Sequence, residues 1–100
     1  MSAHEEFFAV VGEYMDALQM FYRKFADKKP VMQISLPEQR IYAYPYEGYL
    51  TMLSPRSQKV LRQQYRKAVK RNEMVVFVRD EDQRTLNSTT VPIDQTSETA

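Results

Sequence analysis

The chain has no cysteine and no tryptophan, and only two glycines and one histidine in 100 residues. Each shortage removes a class of chemistry. Without cysteine there can be no disulfide framework, thiolate metal site or cysteine nucleophile. With Gly12 and Gly48 as the only glycines, neither the Walker loop nor the dinucleotide fingerprint can be written. His4, close to the start of the chain, gives a Ser-His-Asp arrangement no well-held base. Asp80-Glu81-Asp82, read as the start of a calcium loop, puts Thr85 where that loop requires glycine. Glu38 and Glu47 have no spacing that defines a catalytic carboxylate pair. The inventory therefore predicts no cofactor, no metal and no enzymatic activity.

Long hydrophobic runs are missing too. Near the N-terminus the longest is Phe7 to Val11, far short of a bilayer span. The opening Met1-Ser2-Ala3-His4-Glu5-Glu6 is acidic, where a secretory leader is basic. Together with the lack of cysteine, this predicts a soluble cytoplasmic protein with no membrane role. Net charge is only +1, so any attraction to a polyanion must come from a patch.

Such a patch is present. Seven of the fourteen Lys and Arg residues fall between Arg56 and Arg71, with no acidic residue among them. At 100° per residue, Arg56, Lys59, Arg62, Arg66, Lys67, Lys70 and Arg71 occupy one half of a helical wheel. Leu61, Tyr65, Ala68 and Val69 occupy the other half and read as its core-facing stripe. Ser54 is an N-cap residue, Pro55 suits the first helical position, and Asn72 suits a left-handed stop. Arg62, Arg66 and Lys70 form an i,i+4 row of like charges, which costs helix stability. Such a row gains from an anionic neighbour.

Elsewhere the patterning is that of a small core. Phe7, Val11, Tyr14, Leu18, Phe21 and Phe25 recur every three or four positions, predicting one helix over 3–28 that Lys29-Pro30 closes. Its aromatic stripe is wide for so short a chain, and pairing of two such helices would cover the surplus as a homodimer. Val31–Leu36 and Arg40–Tyr46 read as a hairpin about Pro37-Glu38-Gln39. In its return strand Tyr42, Tyr44 and Tyr46 alternate onto one face. No element is assigned to 47–53. Met74–Val78 is uniformly apolar and reads as the most buried strand; a weak strand over Arg84–Asn87 would follow the turn at 80–83.

The expected fold is α+β, in the order α-β-β-α-β with a possible final β. A small antiparallel sheet of three or four strands carries both helices on one face. Residues 1–87 form one domain, and 88–100 form a flexible polar tail. Function is expected in non-enzymatic protein binding, with helix 55–71 docking on an acidic partner surface. The alternative is RNA binding, in which the same basic residues meet phosphates and Tyr42, Tyr44 and Tyr46 stack on bases.

Overall fold

The computed structural model describes residues 3–80 and 85–93. The elements run α1 (Ala3–Glu13), α2 (Met15–Lys24), a short 3₁₀ turn (Ala26–Lys28), β1 (Val31–Ser35), β2 (Arg40–Tyr44), α3 (Tyr46–Thr51), α4 (Pro55–Arg71), β3 (Glu73–Arg79) and β4 (Thr85–Pro92). The class is α+β, and the order contains the expected α-β-β-α-β with a closing strand. No helix among the described residues is long and apolar enough to cross a membrane.

The four strands form one sheet in the order β2-β1-β3-β4. It is mixed rather than antiparallel. β1 pairs antiparallel with β2, and β3 with β4, but the central strands β1 and β3 run parallel, with Met32 opposite Val76 and Ile34 opposite Val78. Nor do the helices share one face. Alternate residues of the central strands enter two separate cores. Met32, Ile34, Met74, Val76 and Val78 pack with Phe7, Val11, Leu18 and Tyr22 of α1 and α2. Val31, Val75 and Phe77 pack with Tyr49 of α3 and with Leu61 and Ala68 of α4. The cause is in the composition of β3. A strand apolar at every position must be covered on both sides, since each face left wet would expose every second side chain. All five residues from Met74 to Val78 are buried, and so are all five of β1.

The two polar residues of β1 buried within this sheet show how it is sealed. Gln33 lies on the α3 side and accepts a 2.9 Å hydrogen bond from the Tyr49 hydroxyl, which satisfies a polar group with no access to water. Ser35 is likewise buried. On the opposite side of the sheet, the Gln19 amide of α2 donates to the carbonyl of Pro92 at 2.9 Å. That bond ties the end of β4 to the first layer.

Three expected boundaries change. The single helix over 3–28 is broken at Tyr14, whose backbone N–H is shared between the carbonyls of Val10 and Val11. The break turns α2 so that Leu18 and Tyr22 reach the sheet that Phe7 and Val11 also contact. The stripe proposed for a homodimer is thereby used largely within the chain. Phe8 of the stripe, and Met20 outside it, are the large apolar side chains of α1 and α2 left exposed among the described residues. The polar tail does not begin at 88: residues 85–92 form β4, with Val91 buried. β-branched Thr89, Thr90 and Val91 favour a strand once a paired neighbour exists, and β3 supplies it. Residues 81–83 of the expected turn, Arg84 of the expected weak strand and the tail residues 94–100 lie outside the described residues. Tyr46 does not extend β2; Pro45 ends the strand, and Tyr46 opens α3.

Candidate binding groove

Helix α4 begins and ends as its local residues dictate. The Ser57 N–H donates to Ser54 Oγ at 3.3 Å, Pro55 follows as the first helical residue, and Asn72 closes the helix at φ 56, ψ 51. These two stops fix where the helix begins and ends, and its apolar stripe sets its rotation. Leu61 and Ala68 are buried against the sheet, so every one of the seven basic side chains faces outward and is exposed. None of the seven makes an ion pair with a described acidic residue. Arg62 reaches back to Gln58 Oε1 at 3.4 Å.

The short helix α3 lies alongside. Its first residue, Tyr46, places its ring parallel to that of Tyr65 of α4, with centroids 3.9 Å apart and planes 16° from parallel. Tyr65 donates its hydroxyl to the Lys29 carbonyl at 3.3 Å. Burial, then the neighbouring Tyr46 and Glu47, raise the Tyr65 pKa above the ordinary phenol value, so the donor stays protonated. Tyr65 is therefore held by its hydroxyl as well as by the stacked ring of Tyr46.

Beside the pair runs an open groove of ≈ 350 Å³, lined by Tyr46, Tyr65 and Val69 with Arg62, Arg66 and Lys70. A second depression of the same volume adjoins it, lined by Gln63, Arg66, Lys67 and Lys70. The i,i+4 row thus forms one wall of a trough with an aromatic and aliphatic floor. Four of the basic residues singled out by sequence, Arg62, Arg66, Lys67 and Lys70, and one of the tyrosines, Tyr46, come together here. Arg56 and Lys59 lie near the start of α4 and Arg71 at its end, and none of these three lines the groove.

Tyr42 and Tyr44 do share one face of β2, as alternation requires, and it is the α4 side of the sheet, since they pair with Gln33 and Val31. Both are half-buried. Tyr44 stacks on the buried Tyr49, with centroids 5.0 Å apart, and Tyr49 meets Phe77 edge to face. Tyr42 hydrogen-bonds Glu38, which is the main cause of its raised pKa, and the Arg40 guanidinium lies 5.7 Å from its ring centroid. This row is a continuation of the second core toward the sheet edge, apart from the groove.

Two groove residues were missed by sequence reasoning. Tyr65 and Val69 fall on the apolar half of the helical wheel and read as core, but Val69 is 47% exposed and Tyr65 is only half-buried. The available signal was the width of that stripe. Leu61 and Ala68 suffice to meet the sheet, and the outer members are left at its margin. No family model, curated protein or solved structure matches this chain, so its chemistry is read from these side chains alone.

Proposed function

We propose that this protein is a non-enzymatic docking domain of the cytoplasm. Its groove takes an acidic polypeptide segment that carries an apolar or aromatic side chain. The observation behind this reading is the mixed lining of the trough. An apolar floor of Tyr46, Tyr65 and Val69 lies beside a wall of Arg62, Arg66 and Lys70. Carboxylates along a bound segment would relieve the repulsion within that wall, and each guanidinium offers a carboxylate two parallel donors. An apolar side chain seated on Tyr65 and Val69 would supply the desolvated centre that concentrates binding energy.

RNA would use the same cations but needs free ring faces on which bases stack. Here Tyr46 and Tyr65 present faces to one another, and Tyr44 is spent on Tyr49. Self-association through the first helices has little left to bury, because Phe7, Val11, Leu18 and Tyr22 are core residues.

The test is fluorescence anisotropy with a short labelled peptide of Asp and Glu around one Phe, beside a mixed-sequence single-stranded RNA, from about 50 to 200 mM salt. Saturable peptide binding, weakened about tenfold by Arg66→Glu and also by Val69→Asp, is the expected result. Tighter binding to RNA than to the peptide, with a log–log salt slope of about −3 to −4, would replace this reading with the nucleic-acid one.

A further inference from the structure

The parallel strands β1 and β3 start at the same end of the sheet, and there the two helical layers leave a gap. It is a half-enclosed cavity of ≈ 110 Å³, whose walls include Tyr22 of α2, Tyr65 of α4, Lys29, Asn72 and Glu73. Glu73 opens β3, on the same side as Val75 and Phe77, opposite Pro92 of β4. Its Oε1 is buried and has no hydrogen-bond partner. A carboxylate oxygen withdrawn from water without a donor is unfavourable, and the deficit calls for a donor, best of all a charged one.

We infer that this cavity is a site for an alkylammonium group, of which a lysine side chain of a bound polypeptide is the natural source. The surroundings offer acceptors and aromatic faces. The Tyr65 hydroxyl donates its hydrogen bond to the Lys29 carbonyl and keeps its lone pairs as acceptors. Tyr22 is buried and lines the same space; desolvation, then proximity to Tyr65, keeps its phenol neutral at higher pH than usual. Phenol rings beside a carboxylate are what an organic cation favours, through the ring quadrupole.

The size argues for more than solvent. A water molecule needs only about 10–15 Å³ on this measure, so the volume accommodates an ammonium head with part of its methylene stem. A metal ion is the wrong occupant. Glu73 is the one carboxylate in the lining, and no group of three His, Cys, Asp or Glu that could hold a metal exists among the described residues. Lys29 is the one other charged residue lining the cavity. It is exposed, with its backbone held left-handed at φ 46, and its own ammonium is the competitor to be tested.

The site can be probed without any assumption about the groove. n-Butylammonium is titrated into the full chain, with n-butanol as its neutral counterpart, and the methyl resonances of Met74, Val75 and Ile93 are followed by NMR. Saturable shifts with the ammonium and none with the alcohol are expected. Glu73→Gln should weaken binding about tenfold, the usual scale for a charge-assisted contact, with amide shifts away from the cavity unchanged. Lys29→Gln, at an exposed position, should leave binding intact or tighter. Equal shifts with the alcohol, shifts that survive Glu73→Gln, or no shift at all would overturn the assignment and leave a water-filled cavity. So would a Lys29 ammonium found paired with Glu73 in the free protein.

Discussion

Tyr46 and Tyr65 lie ring on ring, 3.9 Å between centroids, joining a six-residue helix to the middle of the basic helix. Tyr46 is the residue of α3 that lines the groove, so the α3 side of the groove floor depends on this contact. A double-mutant cycle of Tyr46→Ala and Tyr65→Ala, followed by urea unfolding, should give a coupling energy of about 0.5–1.5 kcal/mol, the usual worth of an aromatic pair beyond its burial. Additive effects would mean that the rings touch without stabilising each other.

The positive row is held at a cost. Replacing Arg66 by Gln removes two like-charge i,i+4 contacts, to Arg62 and Lys70, and should stabilise the protein by about 0.4–1 kcal/mol at low ionic strength. In molar salt the gain should shrink toward zero as the repulsion is screened. Thermal unfolding of both proteins at the two salt levels checks this. The same substitution should weaken peptide binding, so stability and binding should move in opposite directions.

Caps fix the two ends of α4. Ser54→Ala should cost about 1 kcal/mol through the lost Oγ acceptor. Asn72→Ala forces a β-carbon into the left-handed region and should cost about 1–2 kcal/mol, whereas Asn72→Gly should be nearly neutral. Chemical denaturation of the three variants separates these outcomes.

Phe77 is buried between Tyr49 and the helices of the second layer. Phe77→Ala should destabilise by about 3–5 kcal/mol, while Met20→Ser, at a position 61% exposed, should change stability by less than about 0.5 kcal/mol. A loss of similar size from both would contradict the two-core description.

Tyr22, Tyr42 and Tyr65 all have pKa values raised above 10.0, from burial in the first and third and from the Glu38 hydrogen bond in the second. In the unfolded chain these phenols ionise first, so above their ordinary pKa the unfolded state binds fewer protons. Their contribution to stability is complete below about pH 10 and declines as pH rises through the folded-state values. Urea midpoints should hold level to about pH 9.5 and then fall. Tyr65→Phe, though less stable at neutral pH, should lose less over the alkaline range.

What the sequence disclosed was whatever local residues dictate. Ser54-Pro55 and Asn72 bounded α4 correctly, because capping is decided within a few residues. Pro37-Glu38-Gln39 lies in the observed hairpin turn, where Gln39 takes the positive φ of 53. The break at Tyr14 was hidden because an a/d stripe passes through a kink without a change of spacing. The two-sided sheet was present in Met74–Val78 as a run with no polar face, which already demanded cover above and below. β4 was obscured because Thr and Ser mark a strand only when a neighbouring strand is at hand. In the groove, Arg62, Arg66, Lys70 and Tyr46 were legible. The role of Tyr65 and Val69 depended on how wide a strip of α4 the sheet would cover, and that is a property of the packed layers.

The pairing of Met32 with Val76 has a bearing on how the molecule is made. Between these partners lie the hairpin strand and both helices of the second layer, so the central contact closes one of the longest loops in the chain. Loop closure of that kind must precede its own reward. During synthesis the first layer, the β1–β2 hairpin and both helices of the second layer emerge while one edge of β1 is still unpaired. Only when β3 leaves the ribosome can that edge be paired. Folding should therefore be late and all-or-none, and a nascent chain halted before Met74 should present the unpaired edge of β1 to chaperones.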